Sequence, residues 1–214
     1  STPKPSSAAS DVYKRQLLLP GRGSPRELSC RVLQSPLAGV SDRVFRDLVR
    51  RWAPKALLFT EMVNATSLEL GFGRGKVEEL GEEPGPIGVQ LFDHRPTAMA
   101  EAAKRAEDAG AYLIDINMGC PVDKVAKKNG GSLLLRDCPS TLLLVDRIIA
   151  AVDRHSGGKV PVTAKIRLGW DRDSIVGPTL ARDLERAGIA AVTVHGLSLI
   201  HISEPTRPLY SAYA

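Results

Sequence analysis

From Leu17 onward the chain alternates short apolar or β-branched runs with longer stretches whose apolar residues recur at helical spacing. RVLQSPLAGV (31–40) reads as a strand. SDRVFRDLVRRW (41–52) reads as the helix after it, with Ser41 as N-cap and Val44, Phe45, Leu48, Val49 and Trp52 on helical spacing. ALLFTEMV (56–63) and PIGVQLF (86–92) predict the second and third strands, and PTAMAEAAKRAEDAG (96–110) a helix with proline at its start and glycine at its end. YLIDIN (112–117) is a fourth strand, followed by a helix that starts at Pro139 or Ser140. VPVTAKIRLG (160–169) is a fifth, and a helix over 174–187 leads through Gly188 to a sixth strand, IAAVTVHG.

Strands that are apolar on both faces and alternate with crossover helices specify a parallel sheet covered by helices. A doubly wound sheet and a closed barrel both satisfy that alternation, and the polar residues discriminate between them. Ser35, Pro36, Glu61, Gln90, Asn117, Cys120, Lys165, Arg167 and His195 fall at or near the C-terminal ends of successive strands. That is the face on which a β/α barrel builds its site. The expected fold is therefore an α/β TIM (β/α)8 barrel, cut off after about six βα units, with an open sheet edge left exposed.

The two ends break the pattern. Residues 1–16 are polar and unpatterned, and residues 197–214 follow an orderly strand abruptly. DVYKRQ (11–16) can be encoded as GAT GTG TAT AAG AGA CAG, whose reverse complement reads LSLIHI, the sequence of 197–202. One inverted repeat can thus encode both ends, a pattern that resembles the translated ends of a transposon-type sequencing-library adapter. Residues 1–16 are accordingly expected to be a non-native, disordered leader and 197–214 a non-native tail, leaving 17–196 as the folded domain.

This changes the charge. The whole chain carries +5, but Lys4, Lys14 and Arg15 against Asp11 account for two of those charges, and Arg207 cancels Glu204. The remaining +3 offers little affinity for a polyanion by itself. With 43% hydrophobic and 25% charged residues, and no apolar run approaching the roughly 20 residues of a membrane span, the composition is that of a soluble globular chain. The three cysteines, Cys30, Cys120 and Cys138, have neither CxxC pairing nor a ligand-spaced histidine, so no disulfide framework and no metal site is expected. Cys30 and Cys138 read as structural.

Cys120 is different, because Gly119 and Pro121 hold it in a stiff loop at a strand end. A thiol of ordinary acidity is mostly protonated at neutral pH and can act as a general acid. Lys165 sits inside an apolar alternation, where an ammonium is costly unless it meets an anion or an electron-rich ring, and Arg167 shares its face. Gln90, in an otherwise apolar strand, needs hydrogen-bond partners that the imide edge of a heterocycle could supply. His195 can cap its strand or contact a ligand, while Glu61 and Asp115 are expected to anchor loops or orient cations. GFGRGK (71–76) and NGG (129–131) match neither phosphate-loop pattern.

Taken in order, SPLAGVSDRVFR, TEMV, VQLF, DINMGCPVDKV with NGGSLLL, VTAKIRLGW and VTVHG closely resemble the tRNA-dihydrouridine synthase family over residues 31–196. The DINMGCP run with its trailing Lys124 is the most specific element. The resemblance implies a flavoenzyme that uses FMN, recharged by NADPH, to saturate the 5,6 double bond of uridines in tRNA; the cysteine usage makes a reducing, cytoplasmic setting the default, and a monomer without a metal is expected. It implies that Ser35, Pro36 and Leu37 line the flavin, with Gln90, Lys165 and His195 as further FMN contacts. Cys120 would protonate C5 of the uracil while hydride reaches C6, and Asn117, Lys124 and Arg167 would contact the substrate. The target base would have to leave the tRNA stack.

Two departures stand out. Ser35, Pro36 and Leu37 replace the family's usual APM, and the chain lacks the later strands with their phosphate-binding loops and the helical C-terminal domain that helps grip tRNA. The chain is therefore expected to be an incomplete fragment, inactive alone. Alternatives are another FMN-barrel pyrimidine oxidoreductase, such as a dihydroorotate dehydrogenase relative, or a non-catalytic RNA-binding fragment.

Overall fold

The computed structural model describes residues 17–21, 23, 25–121, 130–171 and 173–196. The two expected adapter-derived ends and Lys124 lie outside these residues. The described chain forms a parallel sheet with helices on one side and an antiparallel hairpin at one end.

The hairpin pairs β1 (Leu17–Leu19) with β2 (Arg26–Leu28). The main sheet contains β3 (Leu58–Phe59), β4 (Val63–Asn64), β5 (Ile87–Phe92), β6 (Leu113–Met118), β7 (Val162–Arg167) and β8 (Ala191–His195). Its order is β3-β5-β6-β7-β8, with β4 also on β5, and every pairing is parallel. The long helices are α1 (Arg43–Trp52), α4 (Pro96–Asp108), α5 (Cys138–Ser156) and α6 (Gly177–Ala187); α2 (Ala65–Glu69) and α3 (Gly75–Glu78) are short.

Side-chain alternation gives each strand two destinations. Val89 and Leu91, Ile114, Ile116 and Met118, and Ala164 and Ile166 join the helix-facing core, where they meet Ala98, Met99, Ala102 and Ala106 of α4 and Leu144, Val145 and Ile148 of α5. The alanines of α4 let it approach the sheet and α5 closely. On the opposite face Leu57, Phe59 and Leu113 form an apolar floor closed by Leu19 and Leu28 of the hairpin. Arg26 locks the hairpin down: its Nη1 donates to the Tyr112 carbonyl at 2.9 Å, and its guanidinium stacks over the Tyr112 ring. Above the floor the same face carries Gln90, Asp115, Asn117, Thr163, Lys165 and Arg167.

Gly88 belongs to this floor because nothing larger fits. A Cβ there would lie 2.7 Å from the Phe59 ring and 2.9 Å from Leu113. Gly88→Ala should destabilise the protein by about 1–3 kcal/mol, measured by urea unfolding, as expected for an overpacked core position.

The first expected strand, 31–40, is reduced to a single parallel bridge between Leu33 and Leu57, with Gln34 N donating to the Leu57 carbonyl. Pro36 has no N–H to continue the ladder. The expected second strand divides into β3 and β4. The helix cap shifts by one residue: Asp42 accepts from Phe45 N at 2.9 Å, while the Ser41 hydroxyl bonds the Leu37 backbone. On α1, Val44, Leu48 and Trp52 form an exposed apolar stripe, Trp52 being 85% exposed. Among the described residues no helix is long and apolar enough to cross a membrane.

Candidate active site

The interior face of β5, β6 and β7 carries polar side chains in adjacent register. Gln90 lies opposite Asp115, Asp115 opposite Thr163, and Asn117 opposite Lys165. The Asp115 carboxylate accepts from Gln90 Nε2 at 2.6 Å and from the Thr163 hydroxyl at 2.7 Å. Gln90 Oε1 accepts from Asn117 Nδ2 at 2.8 Å. Asn117 Oδ1 in turn accepts from the backbone N–H of Gly119 at 3.1 Å and of Cys120 at 2.9 Å. The loop that follows β6 is thereby tied to the strand that launches it, and Ser132 N–H holds the Cys120 carbonyl from the far side of the glycine pair at 3.1 Å.

Cys120 is partly exposed and borders a cavity of about 160 Å³. Pro36, Leu37, Ala38 and Met62 give this cavity an apolar wall; Gln90, Asn117, Lys165 and Arg167 give it a polar one. The volume is below the roughly 300–1,000 Å³ of a typical small-molecule pocket, so the described residues form part of an enclosure. Arg167 Nε donates to the Gly119 carbonyl at 2.6 Å, while Arg167 Nη1 is buried with no hydrogen-bond partner among the described residues. A buried orphan donor of that kind costs stability unless a ligand meets it.

The electrostatics point the same way. Burial lowers the pKa of the Lys165 ammonium; the Arg167 charge adds to that, while Asp115 and Cys120 oppose it. Burial also lowers the Arg167 pKa. An electron-rich or anionic ligand would relieve both cations. Burial pushes the Asp115 carboxyl up to about 6, although Gln90, Thr163 and Lys165 favour its charged form.

The folded pKa of Asp115 lies above the ordinary value of 3.8, so between about pH 4 and 6 the folded state binds the extra proton, and stability falls as pH rises through that window. Asp115→Asn removes the buried charge. The variant should exceed the native protein in stability by on the order of 3 kcal/mol at pH 7 and lose that advantage as pH falls to about 4. Urea midpoints across pH check this.

Most of the residues expected from the sequence converge here. Pro36, Leu37, Gln90, Asn117, Cys120, Lys165 and Arg167 meet at one cavity. Ser35 is exposed and outside the cavity lining, its carbonyl taken by the Gln34 side chain. His195 is exposed at the end of β8, the last of the described strands in the sheet order, opposite Arg167; partial burial and the charges of Arg167 and Lys165 lower its pKa. Glu61 anchors loops as expected, accepting from Gly39 N–H and pairing with Lys76 at 2.8 Å. Met62, Ala38 and Thr163 were not singled out from the sequence, and Asp115 proves to be a buried hub within the strands. Among the described residues no group of His, Cys, Asp and Glu is placed to hold a metal ion.

A larger groove of about 590 Å³ runs between α4 and α5 on the outer surface. It contains none of the converging residues. It holds the ion pair Lys104–Glu101 and the contact of His155 with Asp108.

Residues 33–206 match the family model described as Dihydrouridine synthase (Dus). The chain is 51% identical over 169 residues to a probable tRNA-dihydrouridine synthase 1 of Synechocystis, covering 79% of this chain and 46% of the relative. It is 42% identical over 176 residues to tRNA-dihydrouridine synthase B of Pseudomonas aeruginosa, covering 82% of this chain and 51% of the relative. The chain thus spans about half the length of these curated relatives. Among solved structures, a 2,3-dimethylmalate lyase of the PEP mutase/isocitrate lyase superfamily aligns with TM-score 0.51 at 14% identity, over 81% of this chain and 59% of that one, which supports the α/β fold alone.

Proposed function

The chain belongs to the dihydrouridine synthase family, and on that premise we propose that it forms the reducing site of an enzyme that converts uridine in tRNA to dihydrouridine. The observation that supports this most is the seating of Cys120 beside Lys165, Arg167 and Asn117 at one cavity.

The site residues suit FMN. Lys165 is a partly buried cation, Arg167 Nη1 has no hydrogen-bond partner among the described residues, Gln90 and Asn117 present amides, and Pro36, Leu37 and Met62 supply an apolar wall. In this reading Pro36, Leu37, Gln90 and Lys165 hold the cofactor, with Ser35 and His195 reaching it from the rim. When bound, FMN would supply the hydride-transfer chemistry, with NADPH as its reductant.

The chain's own contribution is orientation and a proton. Asn117 and Arg167 orient the pyrimidine edge, with Lys124 as a further contact, and the Cys120 thiol gives its proton to C5. The backbone bonds from Asn117 Oδ1 keep that sulfur in place, so little ordering is left for the moment of reaction. The site serves a base drawn out of the tRNA stack, in the cytoplasm and without a metal.

The architecture proposed is a (β/α)8 barrel of which residues 17–196 supply about six units. Among the described residues β8 is paired on one side alone, and that edge and the exposed Val44, Leu48 and Trp52 stripe of α1 are where the remaining units would pack.

The test uses the protein at full family length with FMN and NADPH. Unmodified tRNA and free uridine are compared by mass spectrometry of the product. Dihydrouridine should form in tRNA at least about a hundredfold faster, because contacts far from the reacting base contribute to its transition state. Equal or faster turnover of free pyrimidines would reassign the chain to another class of flavin-dependent pyrimidine oxidoreductase.

A further inference from the structure

The hydrogen bonds beneath the cavity form a chain with a direction. At its buried end lies the Asp115 carboxylate, 3% exposed; at the other lie two backbone N–H groups, of Gly119 and Cys120, which can only donate. Between them stand two primary amides, Gln90 and Asn117, each of which offers an acceptor on one side and donors on the other. Only one arrangement satisfies every link. Gln90 must turn Nε2 to the carboxylate and Oε1 to Asn117, and Asn117 must turn Nδ2 to Gln90 and Oδ1 to the loop. Reversing both amides would set oxygen against carboxylate at one end and Nδ2 against two N–H groups at the other.

We propose that Asp115 is a positioning residue that sets the polarity of the Gln90 and Asn117 amides and so seats the loop carrying Cys120. The proposal rests on the reading of Cys120 as proton donor for its functional meaning, but its physical content is independent of catalysis. Asp115 touches neither the cavity nor the loop. It acts through two intermediates, and Thr163 holds its second oxygen so that the first stays aimed at Gln90. A carboxylate presents acceptors alone to Gln90, whereas an asparagine can turn either its oxygen or its amide nitrogen to it, so the polarity is no longer imposed from this end.

The experiment is hydrogen exchange at the amides of Gly119 and Cys120 in the full-length protein at pH 7, without substrate or reductant. The strand amides of Ile114 and Ile116 serve as the internal reference. In Asp115→Asn the two loop amides should exchange about tenfold faster, the size of one lost hydrogen bond, while the reference amides slow or stay unchanged because the variant is globally more stable. A purely structural role would move loop and strand together.

The double variant Asp115→Asn with Gln90→Glu moves the acceptor-only group one residue closer to Asn117. It should return the loop amides to within about twofold of native, since every link again has one donor and one acceptor. Gln90→Leu removes the middle link and should accelerate the loop amides by itself, which keeps the proposal testable if Asp115→Asn folds poorly. Unchanged loop exchange in the single variants, acceleration shared equally with β6, or no recovery in the double variant would overturn it. Loss of tRNA reduction in Cys120→Ala tests the other reading and leaves this exchange pattern unaffected.

Discussion

Cys120→Ala, in the protein at full family length, should slow formation of dihydrouridine in tRNA by about 10²–10⁴-fold, the range that a positioned general acid contributes. The effect should fall on kcat, with tRNA affinity and flavin content near native. Residue 120 lines the cavity, and the loop is held through its backbone N–H and carbonyl, which alanine retains. Cys120→Ser should be nearly as slow, because a hydroxyl is a far weaker acid than a thiol. Product quantified by mass spectrometry and flavin quantified by absorbance separate loss of the proton from loss of the cofactor.

Glu83→Ala should have the largest effect on stability, lowering it by about 3–5 kcal/mol in urea unfolding, as expected when one partner of a buried ion pair is removed. The side chains of Arg46 and Glu83 are only 7% and 2% exposed. Arg46 meets both carboxylate oxygens in a forked contact and gives its remaining nitrogen to the Ser41 carbonyl at 2.7 Å. The pair joins α1 to the chain entering β5, and Arg50 extends the connection to the carbonyls of Ala56 and Pro86. Replacing both members together, with Arg46→Met and Glu83→Leu, should cost much less than either single loss, because no charge is then left buried without a partner.

How far the sequence discloses this depends on where each stabilising contact lies. Strands β5, β6 and β7 are visible within one or two residues because each is a six-residue run buried almost throughout, between unmistakable turns. The helix α4 is equally visible from Pro96 and the following glycine. The β1–β2 hairpin is not. Its strands are three residues each, too short for a period to show, and they are held by Arg26 and by the apolar floor, which only the folded sheet creates. The segment around Leu33 looks like a strand by composition but, among the described residues, bridges to Leu57 alone.

The candidate site was legible to the same depth. Residues at strand ends reveal themselves because polar groups there break an apolar run, which is how Gln90, Asn117, Cys120, Lys165 and Arg167 could be gathered before any contact was known. Asp115 gives the same signal, and its type suggests a residue that anchors loops or orients cations; its hydrogen-bond partners, Gln90 and Thr163, lie 25 and 48 residues away in sequence and are not legible there. Cross-strand register, not residue type, makes it a hub. The flavin role of Ser35 and His195 comes from resemblance to the family; both are exposed, and neither lines the cavity.

The most direct measurement follows the flavin through its two half-reactions in Cys120→Ala. Reduction of bound FMN by NADPH should proceed at the native rate, and reoxidation by unmodified tRNA should be slower by at least about a hundredfold. Reoxidation by tRNA at the native rate in that variant would contradict the assignment of Cys120 as the proton donor.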